Sequence, residues 1–126
     1  MIQPRLKSRL LKAGFPAYAL ALLLVSLLPM DQAAGGPRIL VDLHPGVQNL
    51  LHAPAFMLLA VLAGLTVKGT GCSRPWLFPG SACIVYGLLL EWLQLFVPGR
   101  FVSLLDAGLN CLGVLLGLLL LKALDM

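Results

Sequence analysis

Six polar residues could do chemistry in a chain that is otherwise mostly apolar: His52, Glu91, Gln94, Arg100, Asp106 and Asn110. His52, Glu91 and Asp106 are proton carriers and so the candidate catalytic groups, since an imidazole and two carboxyls can exchange acid and base roles. Arg100 presents a planar fork that holds a phosphate or a carboxylate by two bonds. Gln94 and Asn110 would orient a ligand through neutral hydrogen bonds. His52 taken alone would be an ordinary interfacial histidine; its company makes it a candidate. A metal centre is not expected, because His44 and His52 lack ligand spacing and only Asp42 and the carboxylates could assist. The nucleophile elbow G-x-S-x-G and the phosphate loop G-x-x-x-x-G-K are absent, and no cofactor is expected.

The elements that must position these groups follow from composition. Of the 126 residues, 60% are hydrophobic and 11% charged, under half the charge of a soluble globule. Most of the surface must therefore face something other than water. Four apolar segments, at about 15–30, 50–67, 76–97 and 101–121, are separated by breaker clusters such as Gly35-Gly36-Pro37 and Pro98-Gly99. A membrane-spanning helix needs about 20 apolar residues. The last two segments meet this, the second is near the lower bound, and the first is short unless Leu10 and Leu11 extend it. The fold class is an all-α integral membrane bundle of about four transmembrane helices, a single domain over 1–126. The three cysteines show no ligand spacing: Cys72 falls in a loop, while Cys83 and Cys111 lie in apolar runs and read as buried free thiols.

The net charge of +4 has no interleaved aromatics and does not suggest nucleic acid. Seven of the nine basic residues (Arg5, Lys7, Arg9, Lys12, Lys68, Arg74 and Lys122) lie on one side if the N-terminus is inside, against Arg38 and Arg100 on the other. Positive-inside bias then makes both termini cytoplasmic. A basic start, an apolar stretch and Ala33, Ala34 and Gly35 also resemble a cleavable secretory signal, but the charge distribution favours retaining the first helix. Under this topology Glu91, Asp106 and Asn110 lie about 8–15 Å below the outer ends of neighbouring helices. At 100° per residue, Asp106, Asn110, Gly113 and Gly117 fall within about 60° on one helix, and Gly80, Gly87, Glu91 and Gln94 do so on the other. The polar groups can meet, with a carboxylate expected to pair with Arg100.

The run Glu91-x-x-Gln94, then Pro98-Gly99-Arg100, Ser103, Asp106, Asn110, Gly113 and Gly117, resembles the signature of the VanZ-like family over residues 40–121: E-x-x-Q, P-G-R and S-x-x-D-x-x-x-N-x-x-G-x-x-x-G. The family's D-K-x-x-H element ends at His52, with Gln48 and Asn49 in place of its Asp and Lys. The resemblance implies a small multi-pass protein of the bacterial cytoplasmic membrane, of a family whose namesake is linked to glycopeptide (teicoplanin) resistance. It does not imply a reaction.

Three functions remain open at this point. One is an outward-facing site that binds or processes a lipid-linked or anionic head group in cell-envelope metabolism, with membrane lipids or a lipid-linked envelope precursor as partner. A second is a non-catalytic structural or regulatory subunit, in which Glu91, Arg100 and Asp106 only clamp helices. A transporter is disfavoured, because residues 115–121 carry no polar side chain to line a path. The topology is open to a direct test. Cys72 should resist membrane-impermeant thiol reagents in intact cells and react after permeabilisation. External labelling would invert the orientation and move the polar site to the cytoplasmic leaflet.

Overall fold

A computed structural model describes residues 3–28, 35, 38, 42, 45–68, 74, 76–100 and 103–124. Cys72 and His44 lie outside the described residues. The chain is all-helical: α1 Pro4–Ser26, α2 Pro45–Leu50, α3 His52–Lys68, α4 Leu77–Gln94 and α5 Leu104–Leu124. By length and composition α1, α4 and α5 can cross a membrane, while α3 is apolar but only 17 residues long. At 1.5 Å per residue α3 extends about 26 Å, slightly less than a hydrocarbon core of about 30 Å.

Several boundaries differ from the sequence expectation, each for a local reason. The first helix starts at Pro4 rather than near residue 15, so Leu10 and Leu11 do extend it and the basic residues form its first turns. Proline suits that start because a first-turn N–H has no helical partner to lose. The second segment is interrupted at Leu51. Pro54 carries no N–H and cannot bond the Leu50 carbonyl four residues back, while Leu51 N–H to Val47 O at 3.1 Å and Ala55 N–H to Leu51 O at 3.2 Å bracket the gap. α4, built from the third apolar segment, closes earlier than expected, at Gln94. It tightens through three successive i to i−3 bonds, donated by Leu95, Phe96 and Val97. Arg100 N–H then bonds Val97 O at 3.3 Å around Pro98 and Gly99, with Gly99 at φ +76. This is a type II turn, and its third position needs glycine.

The core gathers on α3. Phe56, Leu59, Ala60 and Ala63 recur at helical spacing and are buried against Cys83 and Leu90 of α4 and Val114 of α5. Cys83 is a buried free thiol as expected, and Cys111 is half-buried and free. The glycine stripe of α5 faces α3. A methyl at Gly113 would collide with the Ala53 carbonyl, and one at Gly117 would come within 2.5 Å of Met57 O. The two helices therefore touch backbone to backbone, as small-residue stripes permit in membranes. α1 contributes no buried residue and lies on the outside of the bundle. It is tied by hydrogen bonds: Tyr18 Oη donates to Ala55 O at 2.7 Å, and Tyr86 Oη donates to Ala19 O.

Gly113→Ala should lower the thermal midpoint in detergent, because the obstacle is backbone rather than a movable side chain. The loss should be about 1–3 kcal/mol. Gly108→Ala, where an added methyl meets nothing within 4 Å, should be neutral or gain about 0.5–1 kcal/mol. Equal behaviour of the two variants would contradict the packing.

Candidate functional site

Three helix ends bring the polar residues together. His52 opens α3, Glu91 and Gln94 close α4, and Asp106 and Asn110 lie in the first two turns of α5. Ser103 caps α5: its Oγ accepts the Asp106 backbone N–H at 3.2 Å, which satisfies a first-turn donor in the manner of a capping box. The same Asp106 places a carboxylate at the positive end of the helix dipole. The tight turn at Pro98-Gly99 keeps α4 and α5 side by side, so Glu91 and Asp106 approach from adjacent helices.

Asn110 joins the cluster. Its Oδ1 lies 2.9 Å from His52 Nδ1, and its Nδ2 donates to Glu91 Oε1 at 3.3 Å. An amide oxygen only accepts, so this bond assigns a proton to Nδ1, and in the neutral ring the lone pair is on His52 Nε2. Nε2 lies 4.0 Å from Asp106 Oδ1, and Nδ1 lies 3.7 Å from Glu91 Oε1. Glu91, Gln94, Asp106 and Asn110 are all at most 5% exposed. Glu91 Oε2 and Asp106 Oδ1 are buried and accept no hydrogen bond from the described residues. Of His52, Glu91, Asp106 and Asn110, it is His52, its side chain 20% exposed, that lines a cavity of about 130 Å³. Gln94 and Arg100 also line that cavity, with Leu22 and Val25 of α1 and Phe56 of α3. Glu91, Asp106 and Asn110 lie behind the histidine.

Arg100 departs from expectation. It pairs with neither carboxylate; its Nε donates to Leu28 O at 3.1 Å and its Nη2 to Val25 O at 2.6 Å. The reason is the end of α1, whose last carbonyls lie beyond the helical ladder, Val25 O meeting only the Leu28 N–H at 3.2 Å, and which has no basic residue in its last turn. A guanidinium supplied from the α4–α5 turn bonds those carbonyls and meets the negative end of the helix dipole. Gln94 does the same through Nε2 to Ser26 O at 3.3 Å. Burial lowers the Arg100 pKa from its ordinary value, the fields of Glu91 and then Asp106 work the other way, and the group stays cationic. An arginine carries five N–H donors, and these bonds use two of them.

Asp42 does not join the site: it is exposed and pairs with Arg38 at 3.4 Å. Sequence reasoning gave no role to Phe56, Ser103, Tyr18 or Tyr86. A helix-capping pattern three residues before Asp106 would have found Ser103. Nothing local marks Phe56, whose ring packs against Gly87 from another helix. On the exposed side of α4, Trp92 and Phe96 are 55% and 71% exposed and meet edge to face at 5.5 Å. Exposed aromatics near a membrane helix end are typical of the headgroup level.

The family model described as VanZ/LLP1 matches residues 15–125 of the chain. No curated protein and no solved structure matches it.

The geometry separates two kinds of polar residue. Arg100→Ala should loosen α1, seen as a lower thermal midpoint and faster proteolysis between α1 and α3, with a loss of about 1.5–3 kcal/mol for bonds made by a charged donor. Glu91→Gln keeps an oxygen for Asn110 Nδ2 and should leave α1 as firmly held as in the parent. An Arg100→Ala protein as stable as the parent would remove the clamp.

Proposed function

The chain belongs to the VanZ/LLP1 family, and on that premise we propose that its polar cluster is a head-group site for an anionic membrane lipid or lipid-linked envelope precursor. One observation carries the reading: a buried His52–Asn110–Glu91 chain, with Asp106 beside it, opens through the histidine into a cavity of about 130 Å³ at one end of a membrane bundle. Ionisable groups inside a membrane protein are costly and usually mark ligand or proton paths. The exposed Trp92 and Phe96 beside α4's end suit the depth at which lipid head groups lie.

In this reading the acyl part of the ligand stays in the bilayer and only its head enters the cavity. His52 lines the cavity and meets the ligand as acid or base. Asn110 holds the ring in one tautomer, and Glu91 stabilises the ring when it is protonated. Arg100 keeps donors beyond the two used on α1 and gives the cavity its positive charge. The seven-to-two distribution of basic residues supports a site in the outer leaflet of a bacterial cytoplasmic membrane, where envelope precursors and glycopeptides act.

A non-catalytic structural or regulatory subunit is the second reading. It draws on the bonds from Arg100 and Gln94 to α1, which are architectural. The two readings differ at His52, Glu91 and Asp106, none of which holds α1. His52→Gln, Glu91→Gln and Asp106→Asn should each abolish function at matched membrane levels. Two readouts serve: glycopeptide susceptibility in a host lacking its own copy, and the anionic lipid retained by the purified protein in native mass spectrometry. Parent-like behaviour of all three variants in both assays would leave the structural subunit as the better account.

A further inference from the structure

We propose that His52, Glu91 and Asp106 form a site for one divalent cation of the first transition row, with Zn²⁺ and Mn²⁺ as the ions of matching chemistry. One ligand atom from each residue lies within 4.8 Å of the others, and the three come from three different helices. The expectation of no metal rested on spacing along the chain, which cannot detect a set assembled this way.

Proximity alone would not carry the proposal, since carboxylates cluster for many reasons. The partners of the individual atoms do. Glu91 Oε2 and Asp106 Oδ1 are buried with no hydrogen bond among the described residues, in side chains of residues 5% and 4% exposed. His52 Nδ1 is committed to Asn110 Oδ1 at 2.9 Å, so the Nε2 lone pair faces Asp106 Oδ1 at 4.0 Å. With the ring neutral, two acceptors face each other there, with no donor between them among the described residues. A cation satisfies both at once, and balances two carboxylates whose nearest guanidinium is turned to α1.

The geometry suits a small ion. Metal–nitrogen and metal–oxygen bonds of about 2.0–2.2 Å let opposed ligands stand up to about 4.3 Å apart. Three ligands on one ion cannot all be opposed and stand about 3–3.6 Å apart. The His52–Asp106 pair at 4.0 Å and the third ligand atom, within 4.8 Å of both, therefore close on the ion by about 1–1.5 Å of side-chain rotation. The outer contacts are also in place. Asn110 accepts from the histidine's other nitrogen and donates to Glu91 Oε1, and such partners orient ligands and raise affinity. One imidazole with two carboxylates is a mixed nitrogen–oxygen set, which suits Zn²⁺ or Mn²⁺ better than the oxygen-seeking Ca²⁺ and Mg²⁺. The cavity beside His52 offers an entry path and an open position at which an anionic oxygen could join. The cation's service to a ligand rests on the head-group reading; its binding to the protein does not.

The test uses the full chain, untagged, purified in detergent and stripped with a chelator. Titration with MnCl₂ or ZnCl₂ should show one saturable site per chain and a raised thermal midpoint, with Ca²⁺ and Mg²⁺ at least about tenfold weaker by their ligand preference. Glu91→Gln and Asp106→Asn should abolish binding while keeping the parent's circular dichroism and elution volume. Asn110→Ala should weaken binding about 10–100-fold. No saturable Mn²⁺ or Zn²⁺ binding below about 1 mM, where affinity is only about 4 kcal/mol, would overturn the proposal. So would undiminished binding in the two carboxylate variants, or a site that takes Ca²⁺ in preference. Lipid retention is read separately on the same samples. Metal bound without lipid sinks the head-group reading alone, and lipid held by stripped protein that binds no metal sinks the cation site alone.

Discussion

Gly113 and Gly117 let α5 lie directly on the carbonyls of Ala53 and Met57, with no room for even a methyl group between the backbones. Ala53 is the neighbour of His52, and Asn110 sits one turn before Gly113 on the same face. This contact therefore decides how far the imidazole is from the amide, and the 2.9 Å bond between them follows from it. Between membrane helices there is no hydrophobic force to draw surfaces together, because lipid is as apolar as leucine. Close van der Waals approach and hydrogen bonds must supply the association, and here the two coincide. The stripe and the polar cluster are parts of one interface.

A second constraint governs α1. Backbone carbonyls at a helix end must find partners, and in a membrane protein water is scarce. α1 fully buries none of its residues, though Phe15, Ala19, Leu22 and Leu23 pack part-buried against the core. Four side chains compensate: Tyr18, reaching to α3, and Tyr86, Gln94 and Arg100, reaching to carbonyls of α1. Arg100 thus resolves a competition. Pairing with a carboxylate would satisfy its charge but leave the α1 terminus unsatisfied. Bonding Val25 and Leu28 satisfies the terminus, while Glu91 and Asp106 still act on it through space. The cavity lies at this junction, with walls from α1 and α3 and polar lining from Gln94 and Arg100.

What remains after that arrangement is an excess of acceptors. Among the described residues, three of the four buried polar ones, Glu91, Asp106 and Asn110, converge on His52. Only Asn110 uses both ends of its amide, and it does so by bridging two partners. A half-satisfied network is worse for stability than an apolar core of the same shape. The chain keeps two carboxylates where leucines would pack better, which is the physical ground for reading the cluster as functional.

The sequence by itself determined the helices and their faces. Hydrophobic runs long enough for a bilayer, punctuated by Pro98-Gly99, are local properties, and helical periodicity placed Asp106, Asn110, Gly113 and Gly117 on one stripe. The tight turn made α4 and α5 neighbours, so Glu91 and Asp106 could be expected to approach. Only the tertiary structure decided the partners. The break at Leu51 arises from Pro54's missing N–H acting three residues upstream, within reach of sequence reasoning but visible only once Leu50 O is followed. Arg100's choice of α1 over the carboxylates joins residues more than seventy positions apart. The His52–Glu91–Asp106 triangle spans three helices. Its dimensions depend on how closely α3 rests on α5, a distance set by two absent methyl groups rather than by any spacing along the chain.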